Sequence, residues 1–283
     1  IRQHTIQSTT RCRALGELDG KVAIVTGAGR LRGIGRATAV AMARLGADVV
    51  VTGTGRNPET YPENEKAANW QDIESTAKLV EAEGRRALPL VVDVSDPQQV
   101  QSMVDQTISE FQRIDILVNN AAFAMLPALG PTVDLDPAMF QKVLDVKVTG
   151  TFLCSQAVLR HLVSQRQGGK IINISSVAGK RGTPNSLAYN AACFALVGMT
   201  QSMAREVGPH GINVNCVCPG TTATSRTDFY TSEVWEERAA SNPLGRNGTD
   251  EEIGEFVTYL CTKAASWISG QSININGGTV MEH

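Results

Sequence analysis

Long apolar runs are missing from this 283-residue chain, and no stretch approaches the roughly 18–20 residues that a membrane-spanning helix needs. An excess of positive charge is missing too. Lys and Arg number 26 against 28 Asp and Glu, a formal net charge of −2, so no basic footprint points to nucleic acid or an anionic membrane. Histidine is scarce, with four isolated residues that offer no metal-ligand spacing. The six cysteines (Cys12, Cys154, Cys193, Cys216, Cys218 and Cys261) contain no CxxC pair, which argues against a disulfide framework and against a metal site. Such usage suits reduced thiols in a cytoplasmic protein. Cys216 and Cys218 stand two apart on an expected strand, share one face, and read as small buried fillers.

What is present is an ordinary globular composition, 42% hydrophobic and 19% charged, in a chain long enough for a sizeable core. Residues 1–17 stand apart: Arg2, His4, Arg11 and Arg13 come before the first acid, Glu17, and read as a flexible arm. The remnant of a targeting segment is the alternative reading of that arm. From Leu18 onward, short β-branched runs alternate with amphipathic stretches, the signature of βαβ units and a parallel sheet. Strands are expected at 22–26, 48–52, 87–92, 116–119, 170–174, 213–217 and 272–275. Several are apolar at consecutive positions, as a sheet covered on both faces requires. Between them, Val100, Met103, Val104, Ile108 and Phe111 recur at helical spacing. Asp136 before Pro137 marks a helix start, and Thr249 with Glu252 has capping-box spacing. No repeat or linker interrupts the pattern. A single doubly wound α/β domain, a Rossmann fold over 18–283, is the expected architecture.

Two excursions exceed simple connections. Residues 56–71 carry Pro58, Tyr61, Pro62 and Trp70; residues 221–247 carry Phe229, Tyr230 and Trp235. Long loops at the carboxyl ends of parallel strands are where such folds bind ligands. The second is a candidate substrate lid, the alternative being a helix that packs those aromatics into the core. Phe123, Met125 and Leu126 are candidates for an apolar pocket wall.

The first strand runs into Thr26-Gly27-Ala28-Gly29-Arg30-Leu31-Arg32-Gly33-Ile34-Gly35 and then into a helical run. Glycines at a strand-to-helix turn let backbone N–H groups approach a pyrophosphate, and the helix N-terminus favours its charge. The end of the second strand chooses the cofactor form. An acid there would bind a ribose 2′-hydroxyl, but the sequence reads Thr52-Gly53-Thr54-Gly55-Arg56. With Arg30 and Arg32 in the glycine loop, Arg56 forms a guanidinium set suited to a 2′-phosphate, hence NADP(H).

Further marks follow in order. Asp93-Val94 follows the third strand, Asn119-Asn120-Ala121-Ala122 ends the fourth, and Ile174-Ser175-Ser176 the fifth. Tyr189 follows Ser176 by thirteen residues, and Pro219-Gly220-Thr221-Thr222-Ala223-Thr224 follows the sixth strand. Together these resemble the short-chain dehydrogenase/reductase family over residues 18–278, with the glycine loop enlarged by two residues. The resemblance implies a seven-stranded sheet, a homotetramer, and a small-molecule substrate. It places cofactor contacts on Gly27, Arg30, Arg32, Gly33, Ile34, Gly35, Thr54, Arg56, Asp93, Val94, Asn120, Ala121, Pro219, Gly220, Thr222 and Thr224. It also places a proton-transferring tyrosine at Tyr189 and an oxyanion-holding serine at Ser176.

The catalytic set departs from the family. A lysine is expected four residues after the tyrosine, where Cys193 stands, and an asparagine on the preceding long helix, where Lys147 stands. A free phenol titrates near about 10, and the family lysine lowers it and donates to the nicotinamide ribose. Cys193 supplies no positive charge and reads as a small filler. Lys147 reads either as a relocated cation reaching the vacated place or as a lysine turned to solvent or plugging a helix kink. The leading expectation is an NADP(H)-dependent oxidoreductase acting on a carbonyl or alcohol of a small, apolar organic substrate. A repurposed scaffold performing cyclisation or elimination, and a non-catalytic binding subunit, are the alternatives.

Overall fold

A computed structural model of the chain describes residues 16–124 and 126–282. The arm at 1–17 therefore falls outside the described residues except for Gly16 and Glu17, and Met125 falls outside them as well. Gly16 already belongs to the fold: its carbonyl accepts from the Asp19 N–H at 3.0 Å in a turn that docks Leu18 onto Leu45.

Seven strands form one parallel sheet: β1 (Val22–Val25), β2 (Asp48–Gly53), β3 (Ala87–Val91), β4 (Ile116–Asn119), β5 (Gly169–Ile174), β6 (Ile212–Pro219) and β7 (Ser272–Ile275). Their spatial order is β3-β2-β1-β4-β5-β6-β7, the doubly wound arrangement the alternating pattern predicts. A separate two-residue ladder pairs Thr222 and Ala223 with Gly248 and Thr249, tying both ends of the second excursion together.

Helices α1 (Ile34–Arg44), α2 (Glu63–Ala67), α3 (Ile73–Ala82), α4 (Pro97–Phe111), α5 (Pro137–Leu144), α6 (Gly150–Gln165), α7 (Leu187–Val207), α8 (Ser232–Ala240) and α9 (Asp250–Cys261) accompany them. Alternate residues of each central strand enter opposite cores, which is why these strands read as unbroken apolar runs. Val25, Val49, Val51 and Val118 pack against Met42 of α1, Val80 of α3 and Leu260 of α9. Ile24, Val50 and Leu117 pack against Met103 of α4 and against Val158 and Leu162 of α6. Each such side chain, fully buried, contributes roughly 1.5–3 kcal/mol. The α9 start carries the expected capping box, with reciprocal Thr249 and Glu252 bonds, and Asp136 caps α5 through the Ala138 N–H at 2.9 Å.

The feature that positions the site lies between α5 and α6. There the helix widens into one π-helical stretch, Asp145–Thr149, whose central residue is Lys147. Such π-turns re-aim side chains without breaking the rod and recur at functional sites. No helix among the described residues is long and apolar enough to cross a membrane.

Candidate active site

The chain reverses direction across the sheet at β1, whose neighbours are β2 and β4. A crevice therefore opens above their carboxyl ends, and here it is a cleft of about 850 Å³. Its floor is the glycine loop laced to the end of β4. Asn120 donates its side-chain amide to the Thr26 and Gly27 carbonyls at 2.8 and 2.9 Å, and the Thr26 hydroxyl accepts from the Asn120 and Ala121 N–H groups at 3.0 Å. Glycine is required twice. Gly27 has φ +67°, and a Cβ there would fall 2.8 Å from the Ala121 Cα; a Cβ on Gly35 would fall 2.5 Å from Asn120 Nδ2. The N-terminus of α1 thus meets the crevice without side chains at Gly33 and Gly35, a shape suited to a pyrophosphate, although the Gly33 N–H donates to the Asp250 carboxylate at 2.6 Å and the Leu31 N–H to Glu65 at 3.1 Å.

Gly27, Arg30, Arg32, Gly33, Ile34, Gly35, Thr54, Arg56, Asp93, Val94, Asn120, Ala121 and Thr224 all line the cleft. Pro219, Gly220 and Thr222 do not. Thr222 is buried behind the wall, where its hydroxyl donates to the Gly220 carbonyl at 3.0 Å. Asp93 is organised by Ser95, whose hydroxyl and N–H both donate to its carboxylate, so its pKa lies below the usual carboxylate value.

The arginines correct a reading made from sequence. Arg56 is not a free arm. Its guanidinium donates to Glu65 at 2.6 Å, to Asp72 at 3.1 and 3.4 Å and to the Gly29 carbonyl at 3.1 Å, while Tyr61 stacks beneath it. Glu65 is fully buried and Asp72 nearly so. The first excursion thus folds back onto the glycine loop and brings two carboxylates that the end of β2 lacks. Trp70 joins it by donating its indole N–H to Gly29 at 2.7 Å. Arg32 is paired with Asp228 of the second excursion. Arg30 is the least engaged of the three: its side chain is 42% exposed, and its contact with Glu65 is 4.0 Å. Burial pushes its pKa down and the neighbouring Arg56 charge adds to that, while Glu65 and Asp72, which match the two guanidinium groups charge for charge, pull the other way.

Ser176, Tyr189, Cys193 and Lys147, the expected catalytic set, do not line this cleft but stand close to one another. Ser176 follows β5, and its hydroxyl accepts from the Ala178 N–H at 3.2 Å. Tyr189 opens α7, half-buried. Burial pushes its phenol pKa well up; Cys193 adds to that, while Arg226 and hydrogen bonding with Ser176 pull the other way. Cys193 is wholly buried, its thiol raised by the same desolvation.

Lys147 does not turn to solvent. The π-turn drives its stem inward, leaving it 3% exposed, with Nζ donating to the Ile174 carbonyl at 2.8 Å and lying 5.8 Å from the centre of the Tyr189 ring. Burial lowers its pKa, and Cys193 is the strongest of the influences that favour its charge. Tyr189 and Lys147 are therefore brought together across two helices, although the sequence separates them by 42 positions.

The apolar wall is only partly as expected. Phe123, Leu126 and Phe229 line the cleft. Tyr230 and Trp235 instead form an edge-to-face cluster with Phe229, centroids 4.5 and 5.8 Å apart, capped by Arg238. The second excursion is thus neither a simple lid nor core filling. Sequence reasoning missed Glu65, Asp72 and Arg226. Only Arg226 carried a signal, two residues beyond Thr224 in the loop already marked as ligand-facing.

A doubly wound parallel sheet with a glycine-rich β1–α1 turn at its switch point defines a Rossmann-type nucleotide-binding protein. Comparison with known proteins narrows this class. A family model described as Enoyl-(Acyl carrier protein) reductase matches residues 27–280. A short-chain dehydrogenase/reductase of Armillaria gallica is 35% identical over 270 residues, covering 93% of this chain and 97% of that protein. A 3-oxoacyl-[acyl-carrier-protein] reductase of Synechocystis is 36% identical over 265 residues, covering 93% and 98%. The solved carveol dehydrogenase of Mycobacterium avium, in complex with NAD, superposes with a TM-score of 0.82 at 28% identity, covering 93% and 99%. The chain belongs to the short-chain dehydrogenase/reductase family, whose relatives here are oxidoreductases.

Proposed function

We propose that this protein is an NADP(H)-dependent carbonyl reductase in which Lys147 replaces the cation missing from position 193. One observation carries the reading: the Lys147 ammonium is buried beside the Tyr189 ring instead of reaching solvent. A lysine is almost never buried without a partner, and among the described residues its one hydrogen-bond acceptor is the Ile174 carbonyl, which leaves two N–H donors for a ribose hydroxyl.

Gly27, Gly35 and the α1 terminus fit a dinucleotide, and the partly exposed Arg30 guanidinium, 4.0 Å from Glu65, fits a 2′-phosphate. Asp72 and Glu65 occupy much of Arg56, so Arg30 is the residue that decides between the two cofactor forms. Nicotinamide, if bound there, would supply the hydride for the substrate carbonyl carbon. Ser176 holds the carbonyl oxygen, and Tyr189 gives that oxygen its phenolic proton. The raised phenol pKa keeps the proton in place at neutral pH, which favours reduction over oxidation. The same reading includes a cytoplasmic homotetramer, with Phe152 of α6 and Phe194 of α7 exposed on faces where a second copy would pack.

The test is reduced-cofactor consumption with short ketones, run on the wild type and Tyr189→Phe. Loss of general acid catalysis costs typically 10²–10⁴-fold in rate. The Phe variant should lose at least a hundredfold while binding cofactor as before; a variant retaining over a tenth of the rate sinks the mechanism. An inactive wild type that still binds NADP(H) favours non-redox chemistry on the same scaffold, the reading that Cys193 keeps open.

A further inference from the structure

Six cationic side chains but only three carboxylates line the cleft, and each carboxylate has a partner: Asp72 with Arg56, Asp93 with Ser95, Asp228 with Arg32. Of these cations Arg226 and Lys142 make no ion pair among the described residues, and Arg226 is the one that bonds across the cleft. Half-buried, it reaches across the cleft from the second excursion and donates to the Phe123 carbonyl at 2.8 Å; it makes no ion pair among the described residues. A guanidinium carries five N–H donors in a planar fork, so one carbonyl leaves most of them unused. Phe123, Leu126 and Phe229 line the same cleft, and apolar walls strengthen a charged hydrogen bond by excluding water.

The glycine loop and Arg30 serve the dinucleotide phosphates. The charge of Arg226 is felt at Tyr189 and Lys147, which lie outside the cleft lining, as well as at Arg30.

We infer that Arg226 is a specificity-determining residue that binds the anionic group of the substrate, making this enzyme a reductase of short oxo acids in preference to neutral ketones. This rests on the carbonyl reductase reading above. The carboxylate would sit in the Arg226 fork, displacing its bond to the Phe123 carbonyl, with the ketone oxygen directed toward Ser176 and Tyr189. A phosphate of the cofactor is the other anion that could use the same fork, and the experiment separates the two.

The probes are 3-oxobutanoate and 4-oxopentanoate, each beside its methyl ester, added to enzyme loaded with oxidised cofactor, which cannot reduce them. Calorimetry then reads binding without turnover. The acids should bind more tightly than their esters, and Arg226→Met should cut that acid-over-ester ratio by roughly 10–100-fold, the strength of one charged hydrogen bond. Arg226→Lys should keep part of the preference, as a point charge does. Any effect of Arg226 on the Tyr189 phenol bears on acid and ester alike and cancels in the ratio. Esters that bind as well as acids at both chain lengths overturn the inference. So does an Arg226→Met variant whose loss falls on cofactor affinity instead, since the fork then holds a cofactor phosphate. An acid preference in these complexes without turnover in the presence of reduced cofactor would overturn the redox reading and leave Arg226 in place.

Discussion

Replacing Lys147 by methionine isolates the cost of the buried cation. The two side chains are similar in length, so packing in the π-turn is kept while the charge is removed. In the cofactor-free protein the ammonium has one carbonyl acceptor, no carboxylate beside it, and Arg226 as a second positive charge nearby. Burial therefore holds its folded pKa below the 10.5 of a free lysine. In the window between the folded pKa and 10.5, the unfolded chain binds more protons than the folded one. Stability consequently rises with pH there, by at most about 1.36 kcal/mol per pH unit, and the full penalty stands below the folded pKa. Removing such a charge typically stabilises by about 1–4 kcal/mol, offset by about 1–3 kcal/mol for leaving the Ile174 carbonyl unpaired. The absolute gain at pH 7 is thus small. The pH trend is the sharper quantity: stability of Lys147→Met relative to wild type should be greatest near neutrality and fall as pH rises toward 10. Denaturant unfolding of both cofactor-free proteins at three pH values measures it. A difference that stays flat or grows with pH would mean that Lys147 is not a desolvated ammonium, and the argument from its burial would fail.

Other consequences can be measured on the same protein. Arg30→Ala should weaken NADP(H) by roughly 10–100-fold, one charged hydrogen bond, and leave NAD(H) little changed; fluorescence titration of both cofactors decides it. Equal losses for the two would remove the 2′-phosphate from Arg30. Reduction should decline with rising pH as Lys147 loses its proton at a pH below 10.5, while alcohol oxidation should climb only at alkaline pH because the Tyr189 phenol is pushed up. A reductase rate that persists unchanged to pH 10.5 would show that the Lys147 charge takes no part. Thr249→Ala should cost about 0.5–2 kcal/mol of stability by removing the α9 capping box, read as a lowered unfolding midpoint.

What sequence made legible here is what local rules govern. Strand β4 spans the expected 116–119, Pro97 and Pro137 open their helices, and Thr249 with Glu252 caps α9, because each is decided within a few residues. The glycine loop was readable because Gly27 and Gly35 are required by backbone geometry that no other residue meets. The charge balance of the cofactor corner was not. Glu65 and Asp72 reach Arg56 from 9 and 16 positions away through a loop with no period, and the absence of an acid after β2 therefore overstated how free Arg56 is. Lys147 was ambiguous for a different reason. A regular helix and a helix with one π-turn have the same sequence pattern but point the residue in different directions, and that direction separates a solvated lysine from a buried one. Arg226 meets Phe123 across 103 positions, a contact that no spacing rule foretells.

The central claim is that the cation has moved from the Tyr189 helix to Lys147. Its most direct test is a double-mutant cycle in reductase rate: wild type, Lys147→Asn, Cys193→Lys and the double variant. The account predicts that Lys147→Asn alone cripples turnover. Cys193→Lys alone, which crowds two ammonium groups into one site, should give little or no gain. The double variant should recover activity, because the charge returns to α7 one turn from Tyr189. A silent Lys147→Asn, a Cys193→Lys that raises activity by itself, or effects that simply add would contradict it.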